Sequence, residues 1–196
     1  MNSIISDNDV KMISDINNLL VEKYGLPIIE EGLVSWYFIY DENSVPVAGI
    51  ALAEVSEGSY PFIVEGVNLD SLITISSADT RELTNFFSFR ENRWLLDLLE
   101  LGHAALSDLE NTSIKNVILF TPRPIYRFLS IKQGFNISFI RPSRKEIDIP
   151  TAVTRLKERY GTKLEYEAEK NYLVRHRPRG VTFSVEQALA SLREKK

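Results

Sequence analysis

The chain has no cysteine. That excludes disulfide staples, a thiolate nucleophile and cysteine-ligated zinc or iron–sulfur sites, and it fits a reducing, cytoplasmic setting. There are only two histidines. His103 follows Gly102 inside a helical pattern and reads as structural, and His176 lies among arginines and reads as exposed. Neither has a partner at metal-ligand spacing, so no metal centre is expected. No apolar run approaches the ~20 residues needed to span a bilayer. The start, Met1 to Asp7, lacks the basic flank and apolar core of a signal peptide. A Ser-His-Asp order, a phosphate loop and a dinucleotide glycine fingerprint are all missing.

What is present suits one domain with a sizeable core: 196 residues, 44% of them apolar. The net charge of -4 is too mild to imply a nucleic-acid partner. Its distribution is uneven. Arg141 to Lys196 holds 14 Lys/Arg against 8 Asp/Glu, or +6, leaving -10 on the remainder. The basic tail includes Arg175-His176-Arg177-Pro178-Arg179. It suits an acidic carrier protein, a phosphate-bearing cofactor or an anionic membrane, or it is simply a solvated face. Without a span or a strong amphipathic basic helix, a membrane role is not expected.

Hydrophobic periodicity gives the element order. Ser6 or Asp7 caps a helix running to about Tyr24, ended by Gly25-Leu26-Pro27. Leu33–Tyr40 and Val47–Val55 form a hairpin, and Gly49 marks a bulge or a close approach. The segment 57–69 reads as a loop with a short helix or strand that covers a pocket. Leu72–Ser76 is a candidate strand, and Glu82–Phe89 a stronger one. Asn92–Leu109 is a helix. Val117–Thr121 is wholly apolar up to its last residue, as in a buried central strand. Pro124 opens a helix that ends at Gly134, and Asn136–Arg141 is another strand. Then come a helix over Pro150–Tyr160, a strand-like piece at Tyr172–Val174, and a last helix whose capping box is Ser184 and Gln187. The order predicts a mixed α/β (α+β) sheet flanked by helices. The core spans 1–142, and a basic extension, 143–196, packs on it.

Residues 81–135 run strand, helix, strand, helix, glycine and return strand. With the element order, they resemble the GCN5-related N-acetyltransferase (GNAT) fold. In that fold the fourth strand splays from the fifth, a pantetheine arm lies in the splay, and amides at the next helix start hold a pyrophosphate. The matching parts here are Glu82–Phe89, Val117–Thr121 and Arg90–Trp94. Glu82-Leu83-Thr84-Asn85-Phe86 resembles the Glu-x-Ser/Thr-Arg-Phe strand of acyl-homoserine-lactone autoinducer synthases, with Asn85 where those have arginine. Glu82, Asn85, Phe86 and Ser88, then 118–121, 126–128 and 134–135, resemble the thermostable hemolysin family more closely still. The resemblance departs at Ser88-Phe89-Arg90-Glu91-Asn92-Arg93-Trp94. The acetyltransferase pattern has glycines there, which let backbone approach phosphate; here Arg90 and Arg93 supply charge instead. A carrier-protein donor, bound through its pantetheine arm, needs that loop less.

The resemblance implies an acyltransferase. Its co-substrate is an acyl-CoA or acyl-phosphopantetheine on an acyl carrier protein, its acceptor is a small-molecule amine, and it keeps no permanent cofactor. Glu82 is the candidate base, or else a salt-bridge partner of Arg81 or of a tail residue. Thr121 or the amides beside it polarise the thioester carbonyl, or simply finish the strand. Tyr126 protonates the leaving thiolate, or packs. Thr84 and Asn85 face opposite sides of the strand, and either one hydrogen-bonds the pantetheine amides or has a structural partner. Phe86 and Ser88 belong to the same donor-binding strand. Arg90, Arg93 and Arg123 anchor the donor's phosphates, or are exposed helix charges. Trp36, Tyr37, Phe38 and Tyr40, with Phe62 and Phe86, Phe87 and Phe89, line an acyl tunnel, or are plain core. The alternative is a non-catalytic interaction protein of the same fold, phage- or toxin-associated, that uses its basic tail.

Overall fold

Leu33–Tyr40, rich in aromatic and β-branched residues, does form a strand, β2, which pairs antiparallel with β3 (Pro46–Glu54). The turn between them is closed by Asp41, whose carboxylate accepts from the amides of Asn43 and Val45. The computed structural model describes residues 4–7, 10–24, 33–143, 145–161 and 164–194. Within these, seven strands form one sheet in the order β1-β2-β3-β4-β5-β7-β6. The strands not yet placed are β1 (Ile4–Asp7), β4 (Thr80–Ser88), β5 (Asn116–Thr121), β6 (Ser138–Phe139) and β7 (Arg179–Ser184). Among these strands only the central β4–β5 pair is parallel.

Both faces of the sheet are covered. On one, α3 (Trp94–Leu109) and α7 (Val185–Arg193) lay Leu101, Leu106 and Leu189 on Ile50, Leu83, Val117 and Leu119. On the other, α1 (Val10–Tyr24) sets Ile16 and Leu20 on Trp36 and Phe38. Beside it α2 (Tyr60–Glu65) inserts Phe62 against Ile118. Val64 of α2 packs against α5 (Ile149–Tyr160) and α6 (Tyr166–His176) through Val153, Leu156 and Leu173. Between β5 and β6 lie α4 (Arg123–Arg127) and a π-helical turn, Phe128–Lys132.

Several expectations are corrected. Ser6 and Asp7 belong to β1, and the helix begins at Val10; its expected end, 25–27, lies outside the described residues. Leu72–Ser76 is not a strand. The chain turns there, held by the Asn68 side chain that caps a 3₁₀ turn at Leu69–Ser71, and Ile73 is fully exposed. Asn136–Arg141 contributes only two paired residues. Tyr172–Val174 is the middle of α6, where Leu173 alone of the three is buried. A three-residue apolar run cannot separate strand from helix by periodicity. The strand of this region is β7, which its glycine disguises: a Cβ on Gly180 would stand 3.0 Å from Ile140 and 3.3 Å from Pro61. Glycine there lets α2 and the β6 segment close over the strand.

One ion pair fastens this region. Arg179 Nε donates to Glu65 Oε1 at 3.0 Å, and the Gly180 amide donates to the same oxygen at 2.8 Å. Arg141 donates to the Glu65 carbonyl, and Arg179 Nη2 to the Arg141 carbonyl. The tail strand, α2 and the end of β6 are thereby held at one buried carboxylate.

Gly49 meets the expectation of a close approach. A Cβ there would stand 2.6 Å from the ring of Phe87 and 2.9 Å from that of Phe38, both buried. Gly49→Ala should therefore destabilise the chain by about 1–3 kcal/mol through overpacking. In a Phe87→Leu background the same substitution should cost less. A double-mutant cycle in urea reads this, and independent, additive effects would contradict a direct clash between the two side chains.

Candidate active site

β4 carries an irregularity on which the site depends. Toward β3, Thr84 pairs with Ala51 and Phe87 with Gly49, so three steps on β4 answer two on β3. The extra residue is a bulge, and within it Asn85 has φ +53°. Asparagine enters the left-handed region more readily than most residues. The bulge resets the side-chain alternation. Leu83 and Phe86 both join the α3 face, and Phe87 joins the aromatic cluster on the α1 face. Ser88 is thereby turned toward α3.

Toward β5 the ladder runs only from Thr80–Asn116 to Leu83–Leu119. β7 pairs with the opposite edge of β5 along its whole length, from Asn116–Ser184 to Thr121–Arg179, so Phe120 and Thr121 keep that partner while losing β4. The parallel pair is joined at its start and unpaired from Thr84 and Phe120 onward.

On the α1/α2 face this opening adjoins a cavity of about 210 Å³, lined by Glu82, Thr84, Ser59, Tyr60, Arg159 and Tyr160 among others. The Tyr60 ring lies 5.2 Å from that of Phe120, the first β5 residue past the pairing. Thr84 and the Tyr60–Phe120 pair therefore stand on the two sides where the strands part. Glu82 is 4% exposed. Burial pushes its carboxyl up to about 8, and the Ser59 side-chain hydrogen bond pulls weakly the other way. The Ser59 oxygen accepts from the Ser56 amide, which leaves its O–H to donate to Glu82. No cation contributes to that balance. The alternative of an Arg81 salt bridge is not taken up: Arg81 donates to the carbonyls of Ser77 and Thr80.

The other candidates fall in separate places. Ser88 Oγ donates to Asp97 at 2.6 Å, and Arg90 grips both oxygens of that fully buried carboxylate. The expected phosphate anchor is thus already paired, and an internal anion occupies the first turn of α3. Arg93 is the exposed N-cap of α3, 3.9 Å from Glu100, and Arg123 is exposed at the first turn of α4. Thr121 is buried at the end of β5. Tyr126, half-buried on α4, sets its ring edge-on to Phe139 at 5.4 Å. Phe86 and Asn85 are half-buried in the bulge. The expected acyl tunnel does not form. Trp36, Phe38, Tyr40, Phe87 and Phe89 stack on one another, Tyr37 faces the opposite side of the sheet, and Phe62 belongs to a third cluster.

Sequence reasoning missed Ser59, which meets Glu82, and Arg159 and Tyr160, which line the same cavity. The one hint was that 57–69 covers a pocket. Among the described residues no cluster of three or more His, Asp or Glu is placed to hold a metal, and no helix is long and apolar enough to cross a membrane.

This architecture is a GNAT fold similar to that of acyl-homoserine lactone synthases. Across the whole chain it superposes on 89% of BjaI, a CoA-dependent acyl-homoserine lactone synthase solved with SAM and isopentyl-CoA, with TM-score 0.60 and 14% identity. LasI, an AHL synthase, gives TM-score 0.60 and 12% identity, with 98% of this chain and 95% of that one covered. TofI gives 0.58 and 12%, with 97% and 96% covered. No family model matches the chain, so membership of the thermostable hemolysin family is unsupported, and no curated protein matches it.

Removing Arg90 would strand Asp97 as an unpaired buried charge, which costs about 3–5 kcal/mol. Arg90→Ala should lose stability on that scale in chemical denaturation. Arg90→Lys should recover only part of it, because an ammonium cannot span both oxygens. Equal stability of Arg90→Ala and the parent would refute the clamp.

Glu82 makes the stability of the chain depend on pH. Its folded value of about 8 lies above the ordinary 4.5, so the native state holds a proton that the unfolded state has released. Stability is then full below about pH 4.5 and falls as pH rises toward 8. Glu169 has the same sign, with burial raising it to about 7. The stability difference between Glu82→Gln and the parent isolates Glu82, and it should move in favour of the variant from pH 5 to 8. A difference independent of pH would exclude the raised value.

Proposed function

We propose that the chain is an acyltransferase that moves an acyl group from a thioester to an amine. The observation that carries this reading is the parting of β4 and β5 beside a buried, cation-free carboxyl that opens into a cavity. A thioester's extended arm enters between Thr84 and Phe120, and the amine approaches from the Glu82 side. The acyl carbon is then shared between two strands, and most of the rate comes from alignment. Glu82, with a value near neutrality, accepts the amine's proton directly or through water. Amides at the end of β5 beside Thr121 are the oxyanion donors, and Tyr126 is the candidate acid. BjaI, of the same fold, was solved with isopentyl-CoA, which supports a thioester co-substrate here. The donor is acyl-CoA or an acylated carrier protein. The internal Arg90–Asp97 pair favours the carrier, because that arginine is not free for a pyrophosphate.

That same pair supports a second reading, in which the fold survives as a non-catalytic interaction protein. Thermal shift against acetyl-, octanoyl- and palmitoyl-CoA and an acylated carrier protein separates the two. A true donor raises the melting temperature by mass action, whereas no shift with any donor favours the second reading. For the first, Glu82→Gln should fold normally and lower turnover by about 10²–10⁴-fold. Parent activity should rise with an apparent pKa near 8. Unchanged turnover would take Glu82 out of the mechanism.

A further inference from the structure

We infer that Ser59 is a positioning residue for the acyl transfer: its hydroxyl holds the Glu82 carboxylate in the form that accepts the amine's proton. This rests on the acyl-transfer reading and names a residue that controls the same site. Ser59 is 6% exposed and lines the cavity together with Glu82. The two come from different elements, the N-terminus of α2 and the early part of β4.

Ser59 is the N-cap of α2, where a serine oxygen ordinarily accepts from an amide of the first turn. It makes no such bond. The second helical position is Pro61, which has no N–H, and the Phe62 amide is bound to the Ser59 carbonyl at 3.0 Å. The side-chain oxygen turns back instead and accepts from the Ser56 amide at 3.0 Å. The Ser59 amide donates to the Ser56 carbonyl at 2.9 Å. With these groups engaged, the O–H is left to donate to Glu82.

The loop that presents this hydroxyl is braced at several points. The Gly58 amide donates to Ser56 Oγ at 3.1 Å, and the Tyr160 hydroxyl donates to the Gly58 carbonyl at 2.9 Å. The Leu69 amide donates to Glu57 Oε1 at 2.7 Å. The serine is thus set toward Glu82 before any substrate arrives, as electrostatic preorganisation requires.

Burial favours the neutral acid, which cannot accept a proton, and a hydrogen bond donated to the carboxylate favours the charged form. The other titratable and charged groups that line the cavity are Glu54 on β3, Tyr60 on α2, and Arg159 and Tyr160 on α5. None of them contributes to the balance on Glu82, so Ser59 is the group that opposes burial there. In the transfer the amine nitrogen bonds to the acyl carbon and the C–S bond breaks. The nitrogen's proton passes to Glu82, which releases it to solvent. The thiolate takes a proton from solvent, directly or through Tyr126.

A titration that needs no donor tests this. In a chain labelled with carbon-13 at the glutamate carboxyls, the Glu82 signal is assigned by its loss in Glu82→Gln. Its midpoint should lie near 8 in the parent. In Ser59→Ala it should lie about half to one pH unit higher. Ser56 is exposed, so its amide turns to water in that variant. Ser59→Thr, which keeps the hydroxyl, should stay at the parent midpoint. In the parent alone, the Ser59 Cβ signal should titrate together with Glu82, a check that needs no variant to fold. Turnover is the further readout. Ser59→Ala should lose about 3–10-fold at neutral pH, and its ratio to the parent should climb toward one above about pH 9. A loss of equal size at every pH would mark a merely structural serine and overturn the inference. The same Glu82 midpoint in the parent and Ser59→Ala, or a Ser59 signal flat across the Glu82 titration, would overturn it too. Absence of turnover with every donor fails the acyl-transfer reading separately, because the titration still reads whether Ser59 holds the carboxylate.

Discussion

β4 must serve two neighbours that make incompatible demands, and the site exists because it cannot satisfy both along its whole length. Its register with β3 is continuous in outline but admits one extra residue at Asn85. Its register with β5 stops at Leu83. A sheet with strict pairing would have placed Ser88 on the α1 face and zipped Thr84 onward against Phe120. The bulge instead turns Ser88 toward α3, where it and Arg90 satisfy Asp97. Meanwhile β7 holds the opposite edge of β5 along its whole length, so β5 stays in the sheet where β4 leaves it. The same local deviation thus fixes the helix that follows the strand and opens the space beside it.

The buried acids show how differently this fold treats charge. Asp97 and Glu65 are each paired with an arginine and hydrogen-bonded, which offsets their desolvation. Glu82 is as deeply buried but meets only a hydroxyl. A purely structural carboxyl in that position would be better replaced by an apolar residue, because burial without a counter-charge opposes folding at neutral pH. That the chain keeps an unpaired acid at the cavity adjoining the strand opening is the kind of conflict expected of a working group.

Legibility followed the physics of each segment. Aromatic and β-branched content and the turn at 41–44 placed β2 and β3, the apolar run of 117–120 placed β5, and the Ser184 side chain does cap α7 by accepting from Gln187. Those signals are local. The bulge at Asn85 is not local, because it depends on how two neighbours pair with β4. The Arg90–Asp97 clamp joins residues whose helical offset a strand-and-loop reading could not anticipate. Glu82 was found because it opens the Glu82-Leu83-Thr84-Asn85-Phe86 strand, whose motif resembles that of the autoinducer synthases. Ser59 and Arg159 were not, because a serine in a turn and an arginine on an amphipathic helix are ordinary until tertiary structure brings the one to Glu82 and the other to the same cavity.

The lopsided charge of the sequence resolves in the same way. The basic tail faces an acidic remainder, and several of its cations are spent inside the molecule. Arg179 pairs with buried Glu65, Arg141 binds the Glu65 carbonyl, and Arg193 forms a two-pronged pair with Glu110 at 2.7 and 2.6 Å. Arg155 lies against Gly66, and Arg159 lies on Gly58. What reads in one dimension as a patch for an anionic partner is largely the means by which residues 141–193 are joined to the chain before them. These guanidinium groups are distributed along the seam, and Arg159 is among the residues that line the cavity.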